Sequence, residues 1–328
     1  MNRKKCKSLI LQFLKIGFGV AIFTYFVFSG KVNLAKVWDT LFCSLWVPLI
    51  LSLQLGSITL CTLRWWVLVR SQKIEISFLR TLKLVFIGWF FNVTIPGTIS
   101  GDVMKVYYIA KGEKNKISAG FSVLMDRFIG LVILVMLTFL FVLLNYSFVQ
   151  SIPELKAIGW SVGVAFVFFC FFLLFFISRK NAKISSRWPL FLRNLLEAFW
   201  AYRGALDKLF IASFMTVLNW LCTVLAYYCA ARALGENVLS LSSYFFLIPV
   251  GLFVMTIPIS PAGVGVGQGI FLTLFSWAYG KTVMVGAEMV TLVQLLIVFW
   301  AIIGFFIYIT HREKISSDSP SEEGVLVT

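Results

Sequence analysis

Two short apolar stretches, each ending at an Ile-Pro step, decide how this chain folds. The first, KLVFIGWFFNVT at residues 83–94, is followed by Ile95-Pro96, and the second, FFLIPVGLFVMT at residues 245–256, is followed by Ile257-Pro258. Neither is long enough to cross a bilayer, because a spanning helix needs about 20 apolar residues. Short apolar segments broken by Gly or Pro at matching places in two halves of a chain are typical of membrane transporters.

A shared tripeptide precedes each stretch at nearly the same distance. Leu60-Cys61-Thr62 lies before the first stretch and Leu221-Cys222-Thr223 before the second, and the two separations differ by one residue. We therefore predict an internal repeat with units at residues 45–110 and 209–280.

The composition indicates a membrane protein. Hydrophobic residues make up 60% of the chain and charged residues 13%, whereas soluble proteins average about 45–50% and 25%. The sequence predicts an all-α polytopic membrane protein with two re-entrant or broken hairpins, Leu82–Ile109 and Tyr244–Tyr279. The second could also be two closely packed spanning segments. Six full-length helices are predicted at Leu9–Phe28, Leu45–Val69, Ile117–Asn145, Ala157–Ile177, Leu209–Ala231 and Ala287–Ile309.

Lysine and arginine residues decide the predicted orientation, since cytoplasmic loops carry an excess of them. With the N-terminus inside, the internal segments hold 21 Lys and Arg and the external loops hold five. Both termini are therefore predicted to be cytoplasmic, in a multi-pass protein of the plasma membrane. The net charge of +15 needs no nucleic-acid partner, because basic residues near the surface are attracted to anionic lipid by about 1 kcal/mol each.

This topology inverts the two repeat units relative to each other. The helix with Leu60-Cys61-Thr62 runs inward and its hairpin enters from the cytoplasm, whereas the helix with Leu221-Cys222-Thr223 runs outward and its hairpin enters from the far side. The chain is then one transmembrane domain at residues 1–310 and a cytoplasmic tail at residues 311–328. An amphipathic stretch at Trp188–Trp200 is predicted to lie on the cytoplasmic leaflet.

The sequence offers little for catalysis. His311 is the one histidine, which excludes Ser-His pairs and histidine-based zinc sites. None of the six cysteines is spaced as a metal site. We expect no metal and no cofactor.

The first hairpin, NVTIPGTISGD at residues 92–102, is the richest candidate site. Its Ile-Pro-Gly break leaves backbone groups unpaired, which is tolerable in a membrane only where protein or water satisfies them. Ser100 is the predicted N-cap of a second arm. The N-terminus of that arm would offer free amides and a positive dipole to an anion such as phosphate.

Charged residues inside the predicted spans are expected to face a polar cavity or an ion-pair partner, because a charge near the bilayer centre costs about 2.5–3.5 kcal/mol. This expectation applies to Arg64 and to the adjacent pair Asp126-Arg127, whose side chains project about 100° apart on a helix. Lys15 is interpreted as a snorkelling or helix-contact residue, and Glu288 as an acidic residue that suits the start of its helix. Asp102 would oppose an anion, so we predict that it pairs with Lys105, Arg127 or Arg64.

Two motifs resemble the signature of one membrane-protein family. The first is FN…PG…SGD…K at residues 91–105 with SVLMDR at residues 122–127, and the second is PAGVG…QG at residues 261–269. The chain resembles the lysylphosphatidylglycerol synthase transmembrane region, also called the flippase-like domain family, over nearly its whole length. The resemblance implies an integral-membrane domain that moves an anionic, aminoacylated or polyprenyl-phosphate-linked lipid between leaflets. The multidomain synthases carry a soluble aminoacyl-transfer domain after this region, and because this chain ends soon after its last helix we expect no enzyme activity.

Together these features favour a lipid flippase in which the head group crosses a polar cavity between the two hairpins. An accessory subunit of a lipid-modifying or glycosyl-transfer system and an intramembrane enzyme stay open as alternatives. The expected partners are membrane lipids that are anionic or phosphate-bearing, while a lipid-modifying enzyme and a second copy of the chain stay open. The predicted substrate-binding residues are Arg64, Asn92, Pro96, Gly97, Ser100, Gly101, Asp102, Lys105, Asp126, Arg127, Pro261, Gly263, Gly265 and Gln268.

Overall fold

Helices make up all the regular structure of the described chain. The computed structural model describes residues 17, 20–95, 100–111, 116–178, 202–255 and 263–317, and no strand occurs among them. A helical stretch at residues 20–28 comes first. The elements that follow are α1 (Leu34–Cys43), α2 (Trp46–Ser71), α3 (Phe78–Thr94), α4 (Ser100–Ala110), α5 (Lys116–Leu144), α6 (Tyr146–Gln150), α7 (Pro153–Ser178), a 3-10 turn (Tyr202–Ala205), α8 (Leu206–Ala233), α9 (Leu241–Met255), α10 (Val266–Tyr279) and α11 (Val285–Ser317).

Five of the described helices are long and apolar enough to cross a membrane: α2, α5, α7, α8 and α11. They coincide with five of the six predicted full-length helices, which confirms an all-α polytopic membrane protein. Half of the sixth, Leu9–Phe28, lies outside the described residues, which include residues 17 and 20–28 of it. The predicted surface helix Trp188–Trp200 also lies outside them.

Helix α1 was not predicted. It begins after Asn33, whose side-chain oxygen accepts the backbone N–H of Lys36 at 3.1 Å and so caps the helix. Lys36 Nζ then reaches Glu288 Oε2 at 3.1 Å, which ties α1 to the start of α11. The sequence analysis counts Lys36 among the residues of the external loops and predicts no helix there.

Helices α3 and α4 form the first predicted hairpin. Its arms run antiparallel in close contact: Gly101 N–H donates to Asn92 Oδ1 at 2.8 Å, and a Cβ atom at Gly101 would lie 2.2 Å from the carbonyl oxygen of Gly88. A side chain at residue 101 would therefore separate the arms. The Pro96–Ile99 break between them lies outside the described residues.

Helices α9 and α10 form the second hairpin. Phe271 of α10 lies against Gly251 of α9, where a Cβ atom would come within 2.5 Å of the ring, and Met255 lies against Gly267 near the tip. The two helices have 15 and 14 residues, fewer than the 20 or so that a span needs. These lengths favour a re-entrant hairpin over two spanning segments.

The contacts between helices fit the predicted inverted repeat. Helices α2 and α8 cross antiparallel. Ser57 contacts Asn219, and Arg64, about two turns further along α2, contacts Thr216, which comes earlier in α8. The long helix that follows each predicted unit along the chain packs on the first hairpin arm of the other unit: α5 packs on α9, and α11 packs on α3. This reciprocal exchange is the pattern that an inverted repeat predicts.

Candidate functional site

A charged cluster joins the first hairpin to α5. The carboxylate of Asp102 accepts hydrogen bonds from Lys105 Nζ at 3.3 Å and from Arg127 Nε at 2.6 Å. Asp102 and Lys105 lie one turn apart on α4, and both side chains are less than a tenth exposed. Asp102 thus pairs with two of the three cations predicted for it, and it holds both of them in place.

The third predicted cation, Arg64, pairs with a different carboxylate. Its Nε and Nη2 atoms donate to the two oxygens of Asp126 at 2.6 and 2.9 Å, which is the bidentate geometry that suits a guanidinium and a carboxylate. Arg64 Nη1 also reaches Thr216 Oγ1 on α8 at 3.3 Å. This buried pair therefore connects α2, α5 and α8.

The neighbours Asp126 and Arg127 face different partners, as their angular separation on a helix predicts. The side chain of Asp126 is 4% exposed and turns to Arg64, whereas that of Arg127 is 50% exposed and turns to Asp102. Across both pairs, three cations meet two carboxylates, so the cluster carries one positive charge in excess. We call Arg64, Asp102, Lys105, Asp126 and Arg127 the charged cluster.

The residues that flank the tip of the first hairpin bond to one another across its two arms. Asn92 Oδ1 accepts the Gly101 N–H, so that amide of the second arm is not free for an anion as predicted. Ser100 is the first helical residue of α4, not the predicted N-cap before it, and its hydroxyl donates to the Phe91 carbonyl oxygen at 2.9 Å. Pro96 and Gly97 lie outside the described residues.

The predicted site residues of the second hairpin form a separate, uncharged network. Gln268 is fully buried; its side-chain oxygen accepts the Gly265 N–H at 2.7 Å, and its side-chain nitrogen donates to Thr291 and Gln294. None of the charged cluster is among these partners of Gln268. Gly263 and Gly265 have φ of +72° and +81°, a backbone conformation that favours glycine. Pro261 lies outside the described residues.

Trp65 contacts the charged cluster but was not predicted as a site residue. The ring of Trp65 lies under the Lys105 ammonium, with Nζ 5.1 Å from the ring centroid, and its side chain is fully buried. Such a cation–π contact stabilises a desolvated ammonium. Its position next to Arg64 in the sequence was a signal, but Trp is common in membrane helices and the fold was needed to bring it to Lys105.

An apolar groove lies on another face of α5. It has a volume of about 280 Å³ and lies between α5, α7 and α8. Met125, which adjoins Asp126 in the sequence, is part of its wall. Other residues of the wall are Phe128, Val132, Met136, Phe172 and Leu209.

The arrangement suits an anion better than a metal ion. Among the described residues no group of three His, Cys, Asp or Glu side chains could hold a metal. The charged cluster is cationic overall, with a half-exposed guanidinium at its edge, and guanidinium groups bind phosphate and carboxylate well. An alkyl chain could lie in the groove on the other face of the same helix.

Sequence comparison gives the family. The profile of the lysylphosphatidylglycerol synthase TM region matches residues 12–309. The chain belongs to this family. It is 25% identical to a UPF0104 membrane protein of Pyrococcus horikoshii over 80% of this chain and 86% of that protein. A UPF0104 membrane protein of Methanothermobacter thermautotrophicus is 22% identical over 84% of this chain and 85% of its own length.

Membership of the lysylphosphatidylglycerol synthase TM family confirms the resemblance seen in the motifs. The match takes in both hairpins and all five described candidate spans. It therefore covers the charged cluster and the Gln268 network alike.

Proposed function

We propose that this protein moves an anionic lipid between the two leaflets, and that the charged cluster receives the lipid head group. The observation that carries the proposal is the excess positive charge of that cluster, which lies where α2, α4 and α5 meet. Charged side chains within membrane-spanning segments usually line a substrate path or a polar cavity because they are costly to place there. Anionic, aminoacylated and polyprenyl-phosphate-linked lipids all bring the phosphate that this charge would attract.

Arg127 is the proposed first contact. Its side chain is half exposed while Asp102 holds its Nε atom, so the guanidinium is oriented without being enclosed. Lys105, on the inner side of Asp102, would receive the head group next.

The apolar groove supports an amphiphile as the substrate. It lies on the α7 and α8 side of α5, whereas Asp126 and Arg127 on the same helix face α2 and the first hairpin. A lipid could place its phosphate at the cluster and one chain along the groove. We propose transport and not catalysis, because the cluster binds charge but contains no nucleophile next to a base.

The test is lipid movement in liposomes that contain the purified protein and a head-group-labelled phosphatidylglycerol. We expect labelled lipid to change leaflet faster than in protein-free liposomes, and Arg127→Gln to slow this by about tenfold or more, since a hydrogen bond to a charged group contributes about 1.5–3 kcal/mol. Arg80→Gln is the matched control, because Arg80 is exposed at the start of α3 and its side chain is outside the cluster.

Each result has a clear meaning. Equal movement with and without protein, for phosphatidylglycerol, lysyl-phosphatidylglycerol and a polyprenyl phosphate in turn, would overturn the proposal and favour an accessory subunit. Equal slowing by Arg127→Gln and Arg80→Gln would show that general surface charge matters and the cluster does not. Native mass spectrometry of the protein with its bound lipids, wild type against Arg127→Gln, would then identify the cargo.

A further inference from the structure

Helix α2 carries two buried hydrogen-bond donors that have no partner. They are Nε2 of Gln54 and Nε1 of Trp65, and they are the two such side-chain atoms found among the described residues. Gln54 is 6% exposed and Trp65 is fully buried. Buried polar groups are nearly always hydrogen-bonded, so each exception calls for a missing partner such as a water or a ligand.

Both unpartnered atoms are donors, and this defines the chemistry of what they lack. An indole nitrogen donates and does not accept. The orientation of the Gln54 amide is set by its other end, because its Oε1 accepts the Trp300 indole N–H at 2.9 Å. A flipped amide would place two donors against each other. The missing partners are therefore acceptors, such as the oxygens of a phosphate ester.

The two donors lie on one face of α2. They are 11 residues apart, which is three turns and about 20° of rotation, or about 16 Å along the axis. Trp65 lies under the Lys105 ammonium, beside the charged cluster. Gln54 contacts α11 at Trp300, in the direction of the other end of the bundle. The same face of α2 thus carries one donor next to the charged cluster and a second donor about 16 Å further along the helix axis.

We propose that Trp65 and Gln54 are additional head-group contacts, with their N–H groups binding phosphate-ester oxygens of the transported lipid in turn. Trp65 binds while the head group is at Lys105, and Gln54 binds after it has moved along α2 toward the opposite end. The proposal rests on the function proposed above. It adds two neutral donors to the cationic cluster, and these bind an anion without holding it as tightly as a further cation would.

The first experiment reads the Trp65 N–H directly. The protein is labelled with ¹⁵N-tryptophan in phosphatidylcholine nanodiscs, and the Trp65 indole signal is assigned by its loss in Trp65→Phe. On addition of phosphatidylglycerol we expect this signal to shift downfield, as it does when an indole N–H gains an anionic acceptor. A shift on addition of inorganic phosphate alone would assign the site to free phosphate and overturn the lipid assignment. A signal that responds to neither ligand would mean a resident water, and would overturn the proposal for Trp65.

The second experiment compares two adjacent tryptophans on α2. Trp66 donates its indole N–H to the Ile76 carbonyl oxygen at 2.9 Å, so Trp66→Phe breaks a hydrogen bond, whereas Trp65→Phe removes a donor that has no protein partner. Both variants lose ring volume, so lipid movement is compared per folded molecule. We expect Trp65→Phe to slow this rate at least fivefold and Trp66→Phe to leave it unchanged. Unchanged lipid movement in Trp65→Phe would contradict the proposal.

The Gln54 contact needs a paired variant, because losing its amide also leaves the Trp300 N–H unpaired. Gln54→Leu combined with Trp300→Phe removes both groups. We expect this double variant to retain the phosphatidylglycerol-dependent shift of the Trp65 signal but to move lipid at least fivefold more slowly. Normal movement in a folded double variant would exclude Gln54 from the path.

These outcomes are separable from failure of the proposed function. A Trp65 signal that responds to phosphatidylglycerol in a protein that moves no lipid would leave the binding site standing and overturn transport. Transport that is sensitive to Arg127→Gln but insensitive to Trp65→Phe and to the double variant would support the proposed function and overturn the Trp65 and Gln54 contacts.

Discussion

Residues of the charged cluster are arranged so that each buried charge has an opposite partner at hydrogen-bonding distance. Removing two charges from water costs several kcal/mol per ion, and their attraction repays this only in good geometry. The Arg64–Asp126 pair has such geometry, with two short bonds and Thr216 as a further acceptor. A pair of this kind contributes specificity of packing more than net stability, and the loss of one partner is far more harmful than the loss of both.

This asymmetry gives a prediction for Arg64 and Asp126. Asp126→Leu leaves the Arg64 guanidinium buried without its carboxylate, so we expect a loss of about 3–5 kcal/mol in the free energy of unfolding. The double variant Arg64→Met with Asp126→Leu should recover most of this loss. Unfolding in detergent, followed by tryptophan fluorescence, measures both. A single variant as stable as the wild type would mean that the pair is not buried as described.

The residues of the cluster could be predicted from the sequence, but their pairing could be predicted only in part. Lys105 lies one turn from Asp102, so local spacing was enough to suggest that contact. Arg64 and Asp126 are 62 residues apart, and no local pattern tells which faces of two distant helices meet. Trp65 was missed for the same reason.

At the scale of elements, each hairpin depends on a close approach between its two arms. In the first hairpin Gly101 lies against the Gly88 carbonyl oxygen, and in the second Gly263 lies against the Met255 side chain, where a Cβ atom would be within 2.4 Å. The sequence predicted both hairpins from their Ile-Pro breaks. It could not predict these two close contacts, because each joins residues on opposite arms of a hairpin.

The first hairpin should therefore not tolerate a methyl group at residue 101. A Cβ atom there would lie 2.2 Å from the Gly88 oxygen and 2.8 Å from Asn92 Oδ1, so Gly101→Ala must separate the arms and move Asp102. We expect a clear fall in the unfolding midpoint together with loss of lipid movement. Gly120→Ala is the control, since its Cβ atom would meet ordinary contact at 3.9 Å from Val106 and a helical Gly-to-Ala change stabilises by about 0.5–1 kcal/mol. Equal tolerance at both positions would contradict the described packing.

The outer ends of the second hairpin are joined by Glu236. This buried carboxylate, in the loop between α8 and α9, accepts hydrogen bonds from the hydroxyls of Tyr244 on α9 and Tyr279 on α10, each at 2.5 Å. Backbone N–H groups of Val238 and Leu239 donate to it as well, both at 2.8 Å. Burial acts to raise the pKa of Glu236, but the hydrogen bonds outweigh it and hold the pKa below its usual value.

A lowered pKa fixes the sign of a pH effect on stability. The ionised Glu236 stabilises the fold fully above its unfolded-state pKa of about 4.3, and this contribution disappears as the pH falls below that value through the lower folded-state pKa. We expect Glu236→Gln to lower the thermal unfolding midpoint at pH 7, and the gap from the wild type to narrow between pH 5 and pH 3. Tyr279→Phe should lose part of the same contribution. A gap that is constant with pH would show that Glu236 is protonated throughout.

At the scale of the whole molecule, the two predicted repeat units differ in charge. The first unit holds the charged cluster, whereas the matching region of the second unit holds the neutral Gln268 network. Its buried acids lie elsewhere: Glu236 is in the loop between α8 and α9, and Glu288 is in the first turn of α11. The tripeptides on which the repeat prediction rests lie at similar positions in α2 and α8. The crossing of those two helices could not be predicted, since it depends on tertiary packing.

The antiparallel crossing of α2 and α8 can be tested by a single new cysteine. A Cβ atom at Gly56 would lie 3.7 Å from Cys222 Sγ, so a sulfur atom added to that Cβ could reach Cys222 Sγ at the S–S distance of about 2.05 Å. We therefore expect Gly56→Cys to form a disulfide with the free Cys222 under mild oxidation, detected as a linked peptide by mass spectrometry. The same substitution with Cys222→Ser should give no such peptide. The link would fix one contact between α2 and α8, at Gly56 and Cys222. Further along α2, Arg64 contacts Thr216, which precedes Cys222 in α8, and the two contacts together require antiparallel helices. Two accessible thiols that do not join would contradict the described contact between Gly56 and Cys222.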